Sequence, residues 1–272
     1  MCGIVGLYLK NPSLESQLGE LFEPMLIAMT DRGPDSAGFA IYGDEVPEGE
    51  TKVTLRHPED DYDWESLAGA MAEGLVTELS WFRNANAAVF KIRAGEEQVR
   101  AWLQESAPDA LVLSIGRSIE ILKEVGLPEK IAGKFKLSEM KGSHIIGHTR
   151  MATESAVTME GSHPFTTGMD LCLVHNGSLS NHNRLREVLC REGIRFETEN
   201  DSEVAAGYLA RRLEQGAVMR DPIACKPAVL AETDDYVAMA SEYQALAGLP
   251  GIEHATVWEP EPATFYIWER DA

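Results

Sequence analysis

Ile4 to Leu9 is a short, almost unbroken apolar run, the pattern of a strand buried on both faces. From Leu14 to Met29 apolar residues recur at helical spacing and predict a packed helix. Gly38 to Tyr42 predicts a second strand, followed by the turn-rich GDEVPEGE. Between Trp64 and Lys134, helix-like stretches at 64–79, 95–105 and 116–126 flank two strand candidates, Ala87 to Ile92 and Ala110 to Ile115. Further strands are expected at Ser143 to His148 and Leu171 to His175. Amphipathic helices follow at Asn181 to Arg191 and Asp201 to Leu213, then short strands at Val237 to Ala240 and Phe265 to Trp268. Strands and helices grouped in this way imply an α+β sandwich, whose topology periodicity leaves open. There are no internal repeats and no low-complexity linker.

Composition narrows the function classes. The chain has 272 residues, 44% of them hydrophobic, enough for a sizeable core, and a formal net charge of −20. Such a field repels phosphate backbones and anionic lipid, so neither nucleic acid nor membrane is expected as a partner. No apolar run is long enough to span a bilayer. The opening MCGIVGLYLK lacks the basic leading region of a signal peptide. Cys2, Cys172, Cys190 and Cys225 are scattered without a C-x-x-C pair, which argues against a zinc or iron–sulfur site and for a reducing cytoplasm. There the formal sequon Asn176-Gly177-Ser178 has no meaning.

Four local features can carry chemistry. Removal of Met1 would leave Cys2 with a free α-amine beside its thiol, a nucleophile and a base on one residue. Their reference pKa values, ~8.5 and ~8, make proton exchange between them inexpensive. A cysteine at position two is, by itself, far more often structural or accidental. His175-Asn176-Gly177 follows a strand candidate, where the Asn amide and the glycine N–H could form an oxyanion hole, or simply a turn. Arg150, at the end of another strand, is either a carboxylate clamp or a surface arginine. Asp201, at a helix start, is either an N-cap or a counter-ion for an ammonium group. One guanidinium fork with one carboxylate describes a receptor for an α-amino acid.

The order of these motifs is more telling than any one. MCGIVG, DRGPDSAG at 31–38, HTRMAT at 148–153, HNG at 175–177 and DSE at 201–203 resemble the class II glutamine amidotransferases, and RDPIACKP at 220–227 and ASEYQAL at 240–246 extend the match. The resemblance implies an N-terminal-nucleophile hydrolase with a four-layer α-β-β-α sandwich, one domain over 2–272 with an extended insert at about 45–142. It implies Cys2 as nucleophile, its amine as base, and Asn176 and Gly177 as oxyanion hole. Arg150 and Thr153 would bind the glutamine α-carboxylate, Asp201 the α-ammonium, and Arg32 and Gly33 would support the nucleophile. The reaction would pass through a γ-glutamyl thioester to glutamate and ammonia.

The nearest resemblance is to separately encoded amidotransferase subunits of the glutamate synthase type, including N-methylglutamate synthase relatives. It implies a separate partner subunit with flavin and iron–sulfur centres, while this chain carries no cofactor. Three departures stand out. Met151 and Glu154 replace the usual Trp and His, the stretch between DRGPDSAG and HTRMAT is long, and the interval from Asp201 to RDPIACKP is short. That interval lacks the strand-forming segment, resembling G-x-F-A-L-A-V, that relatives place there. Two alternatives therefore stay open: a stand-alone γ-glutamyl amidohydrolase, and a structural or regulatory pseudo-amidotransferase subunit.

Overall fold

The computed structural model describes residues 2–59, 61–151, 157–177, 179–194, 196, 198–212, 227–261, 264 and 266–268. Its frame is a seven-stranded antiparallel sheet. The strands are β1 (Gly3–Leu9), β2 (Ser36–Tyr42), β7 (Ile119–Val125), β8 (His144–Arg150), β11 (Val229–Glu232), β12 (Tyr236–Ala240) and β13 (Thr256–Trp258). Their spatial order is β13-β11-β12-β1-β8-β2-β7, which puts the first strand near the middle. Buried on both faces, β1 reads as the continuous apolar run its sequence shows.

Period-two alternation gives this sheet two unlike faces. Leu7, Leu9, Phe39, Ile41, Leu122 and Ile145 share an apolar core with Phe22, Met25 and Leu26 of α1 (Leu18–Ile27) and Ile131 of α4 (Pro128–Lys134). On β8 the alternate residues, His144, Ile146, His148 and Arg150, face the other way. That side is covered by a two-stranded hairpin, β9 (Phe165–Gly168) and β10 (Leu171–Leu173), and behind it by α5 (His182–Arg191) and α6 (Asp201–Arg212). The layers therefore run helix, sheet, sheet, helix: the α+β sandwich expected from the sequence.

The long middle stretch builds a second body. Strands β3 (Thr51–Arg56), β4 (Leu79–Asn84), β5 (Ala87–Ile92) and β6 (Leu111–Gly116) form a four-stranded antiparallel sheet in the order β4-β5-β3-β6. With α2 (Trp64–Gly74) after β3 and α3 (Glu96–Ser106) after β5, this is a split β-α-β arrangement. It has its own apolar cluster, in which Val53, Leu55, Phe90 and Ile115 meet Trp64, Leu67, Met71, Val99 and Leu103.

Several sequence expectations need correction. The expected helix at 116–126 is strand β7, paired with β2 from Ser36↔Val125 to Tyr42↔Ile119. Ile119 and Leu122 have helical spacing, but Ile119 and Ile121 share strand spacing, and pairing with β2 decides between them. The charges of β7 are satisfied by neighbours: Lys52 Nζ lies 2.6 Å from Glu120, and Glu124 meets Lys134 at 2.8 Å. Expected helix 64–79 stops at Gly74, leaving Leu79 to open β4. Leu14 to Met29 divides into a 3-10 turn, Pro12–Gln17, and helix α1. Of the expected strand at Phe265 to Trp268, Phe265 lies outside the described residues and 266–268 are not in a strand. There Tyr266 stacks on Trp268 and meets Trp258 at a tilt instead, with centroids 6.1 Å apart in each pair. Among the described residues, no helix is long and apolar enough to cross a membrane.

Candidate active site

The sequence motifs meet at one end of the seven-stranded sheet. Cys2 lies just before β1, and Gly3 pairs with Thr149 next to Arg150. A Cβ on Gly3 would sit 2.7 Å from Thr149 Oγ1 and 2.8 Å from Met29 Cβ, so only glycine lets β1 lie this close. The DRG turn packs as tightly: a Cβ on Gly33 would fall 2.3 Å from the Thr149 carbonyl carbon. Thr149 Oγ1 donates to Met29 O at 3.0 Å, and Asp35 N donates to Arg150 O at 3.1 Å, fixing that turn against β8.

The Cys2 main chain is held from two directions. Arg32 Nε donates to Cys2 O at 3.1 Å and Asn176 Nδ2 donates to the same oxygen at 2.9 Å. Arg32 is itself buried and pairs through Nη1 with Glu242 of the ASEYQAL motif at 2.5 Å. Cys2 Sγ lies 4.0 Å from Met151 O. Thus the second, third and fourth motif segments meet the cysteine that the first supplies, and the last braces Arg32 behind it.

Arg150 is buried, and its Nη1 lies 3.2 Å from the point where a Cβ on Gly161 would stand. The Gly161 carbonyl accepts from Asn200 Nδ2 at 3.3 Å, which links the arginine's surroundings to the start of α6. At that start the structure separates two roles. Asn200 Oδ1 accepts from Ser202 N at 2.9 Å and is the N-cap, so the capping role entertained for Asp201 is not its role. Asp201 Oδ2 instead accepts from Leu179 N at 2.7 Å, joining α6 to the segment that follows HNG. Thr153, Glu154 and Met1 lie outside the described residues, as do most of RDPIACKP and residues 213–219 before it.

Sequence reasoning passed over a layer of imidazoles beneath these groups. His148 and His163 are both buried and stack with centroids 4.1 Å apart. Burial pushes His148 down to about 3, an effect that a hydrogen bond to the backbone of His175 only partly offsets. His163 is also pushed well below the usual imidazole value, first by burial and then by His148 and Lys123. Lys123 Nζ donates to the carbonyls of Ser162, at 2.8 Å, and Pro164, at 3.3 Å, and lies 4.7 Å from the Phe165 ring centre. Ser162 Oγ donates to Thr158 O at 2.8 Å and lies 2.9 Å from Ser36 Oγ, tying this loop to β2. The signal was present in the sequence, since His148 and His175 open the HTR and HNG motifs.

The fold and the order of the motifs match those of known glutamine amidotransferases. Residues 148–217 match a family described as a glutamine amidotransferase domain. The chain is 52% identical, over 298 aligned positions, to the glutamine amidotransferase-like protein GlxB of Rhizobium meliloti (strain 1021), covering 99% of both chains. It is 41% identical over 90 residues to the glutamine–fructose-6-phosphate aminotransferase (isomerizing) of Bartonella quintana (strain Toulouse), covering 33% of this chain and 15% of that one. Among solved structures, the B. subtilis glutamine phosphoribosylpyrophosphate amidotransferase complexed with ADP and GMP superposes with a TM-score of 0.55 at 20% identity. That match covers 96% of this chain and 46% of the other, so this chain spans under half of that enzyme. The chain belongs to the glutamine amidotransferase family.

Proposed function

We propose that this chain hydrolyses glutamine to glutamate and ammonia through a γ-glutamyl thioester on Cys2. The observation that carries the reading is the double hold on the Cys2 carbonyl by Arg32 and Asn176, which gathers distant motifs around one thiol. With Met1 removed, the Cys2 amine takes the thiol proton and the thiolate attacks the side-chain amide carbon of glutamine. An Asn amide has two N–H donors; one holds Cys2 O, and the other, with the Gly177 N–H, serves the oxyanion. Collapse expels ammonia with the proton returned by the amine, and water then releases glutamate from the thioester. Arg150 with Thr153 receives the α-carboxylate and Asp201 the α-ammonium, while Arg32 and Gly33 keep the nucleophile strand in place.

In this reading residues 2–272 are one cytoplasmic amidotransferase domain elaborated at about 45–142, with no cofactor of its own. Its ammonia goes to a separate subunit of the glutamate synthase type bearing flavin and iron–sulfur centres. The sequence resemblance supports that partner. Release of equal amounts of glutamate and ammonia from glutamine by the purified chain, lost in Cys2→Ala, is the expected result. Steady hydrolysis by Cys2→Ala refutes the mechanism.

One observation favours a second reading, a pseudo-amidotransferase subunit. The alignment with GlxB runs over 298 positions against the 272 residues here, so that relative has a stretch with no counterpart in this chain. Failure of the wild-type chain to turn over glutamine, alone and with its partner, would establish this second role.

A further inference from the structure

Two contacts, one from His175 and one from Leu179, tie the HNG segment and the residues after it to the start of α6, and the first runs through Ser202, a residue with no role above. His175 Nδ1 lies 3.0 Å from Ser202 Oγ, and Ser202 is buried beside Asp201. Ser202 Oγ in turn donates to Asp201 Oδ1 across a longer 3.4 Å. A hydroxyl has a single hydrogen, so once it points at the carboxylate, the imidazole must be the donor to Oγ. The result is a directed chain, from the His175 N–H to the Ser202 hydroxyl to the Asp201 carboxylate. Asp201 Oδ2 closes the loop by accepting from Leu179 N at 2.7 Å.

The same imidazole presses on the neighbouring glycine. A Cβ on Gly177 would fall 2.6 Å from His175 Nε2, so ring and glycine backbone fix each other's position. His148 bonds the His175 backbone from the sheet side and stacks on His163. His148 stays neutral in this packing, so it adds no charge beside Arg150 and Lys123.

We infer that His175 is a positioning residue that, through Ser202, holds the Asn176-Gly177 oxyanion pair and the Asp201 carboxylate at a fixed separation. The inference rests on the amidotransferase reading above. A glutamine molecule must satisfy both groups at once, its ammonium at one end and its amide oxygen at the other. A site loose by about 1 Å loses much of its rate. The strut therefore acts on glutamine-shaped reagents and leaves intrinsic thiol reactivity alone.

Alkylation of Cys2 in the full processed chain separates these effects. Two reagents are compared: a glutamine-mimicking diazoketone, which needs the whole receptor, and iodoacetamide, which needs only the thiol. Ser202→Ala should slow the diazoketone about tenfold, the loss of one to two hydrogen bonds, and leave iodoacetamide within about twofold. His175→Leu should match Ser202→Ala, and the double variant should be no slower than either single one. His175→Asn, which keeps an N–H near the Nδ1 position, should recover most of the rate. Unfolding temperatures are followed in parallel. A Ser202→Ala chain that reacts like wild type with both reagents overturns the inference, as does equal slowing of both reagents with a lowered unfolding temperature. A wild-type chain that takes up iodoacetamide and never the diazoketone overturns the amidotransferase reading itself, and the inference falls with it.

Discussion

The two faces of the seven-stranded sheet are made from the same strands and obey different rules. Toward α1 and α4, β2 presents Phe39 and Ile41, β7 presents Leu122 and β8 presents Ile145, all buried in one apolar cluster. Toward the hairpin and α6, those strands present the buried polar residues Ser36, Lys123, His148 and Arg150 beside a smaller apolar patch of Ala40, Ile119 and Ile121. The first face is stabilised by area removed from water, at about 25 cal/mol per Å2. The second is tolerable because the Lys123 ammonium and the Ser36 and Ser162 hydroxyls have partners at hydrogen-bond distance, while His148 and His163 pack as neutral rings. Period two lets one strand do both.

That contrast can be broken in order of expected effect. Cys2→Ala should lower glutamine hydrolysis by about 10^4-fold or more with little change in unfolding temperature, measured by ammonia release and calorimetry. On the opposite face, Phe39→Ala should cost about 3–5 kcal/mol in a denaturant titration, since Phe39 is fully buried. Its activity should fall only in proportion to the folded fraction. Arg150→Lys should reduce kcat/KM for glutamine by about 30–100-fold, chiefly through KM, because an ammonium cannot replace a two-toothed guanidinium on a carboxylate.

Acid should expose the polar face. The His148 imidazole is lowered from 6.5 to about 3 in the folded chain. Between those values the unfolded chain binds the extra proton and the native one does not, so stability falls as pH falls, by roughly 1.4 kcal/mol per pH unit for this one group. Urea midpoints between pH 5.5 and pH 4 should show that slope, and His148→Asn should flatten it; His163 adds in the same direction. The smallest effect expected is at the edge of the site. Glu242→Gln leaves Arg32 with a weaker partner and should cost about three- to tenfold in kcat, with Cys2 still able to react with iodoacetamide.

The sandwich class was legible in the sequence because β1, β2, β5, β8 and β12 are apolar runs bounded by turn residues. Residues 116–126 misled because over seven residues helical and strand spacing coincide, and the deciding fact, an open edge on β2, is long-range. Strands β3 and β4 were missed for a related reason. Thr51, Lys52 and Thr54 are polar yet buried, Lys52 because it meets Glu120 across the boundary between the two sheets. Of the candidate site, the fold brings Cys2, Arg32, Gly33 and Asn176 close to one another, and Asn200, next to Asp201, bonds the Gly161 carbonyl near Arg150. The imidazole layer escaped notice because a histidine's burial and stacking partner come from the fold, as His148 and His163 from separate segments show.

The central claim is that Cys2 is a processed N-terminal nucleophile in a glutamine-shaped pocket. The intact mass of the purified chain after exposure to the glutamine-mimicking diazoketone tests it most directly. A mass lacking Met1 and carrying one adduct, absent in Cys2→Ala, is the predicted result. A chain that has lost Met1 and still carries no adduct, with its partner subunit present, would contradict it.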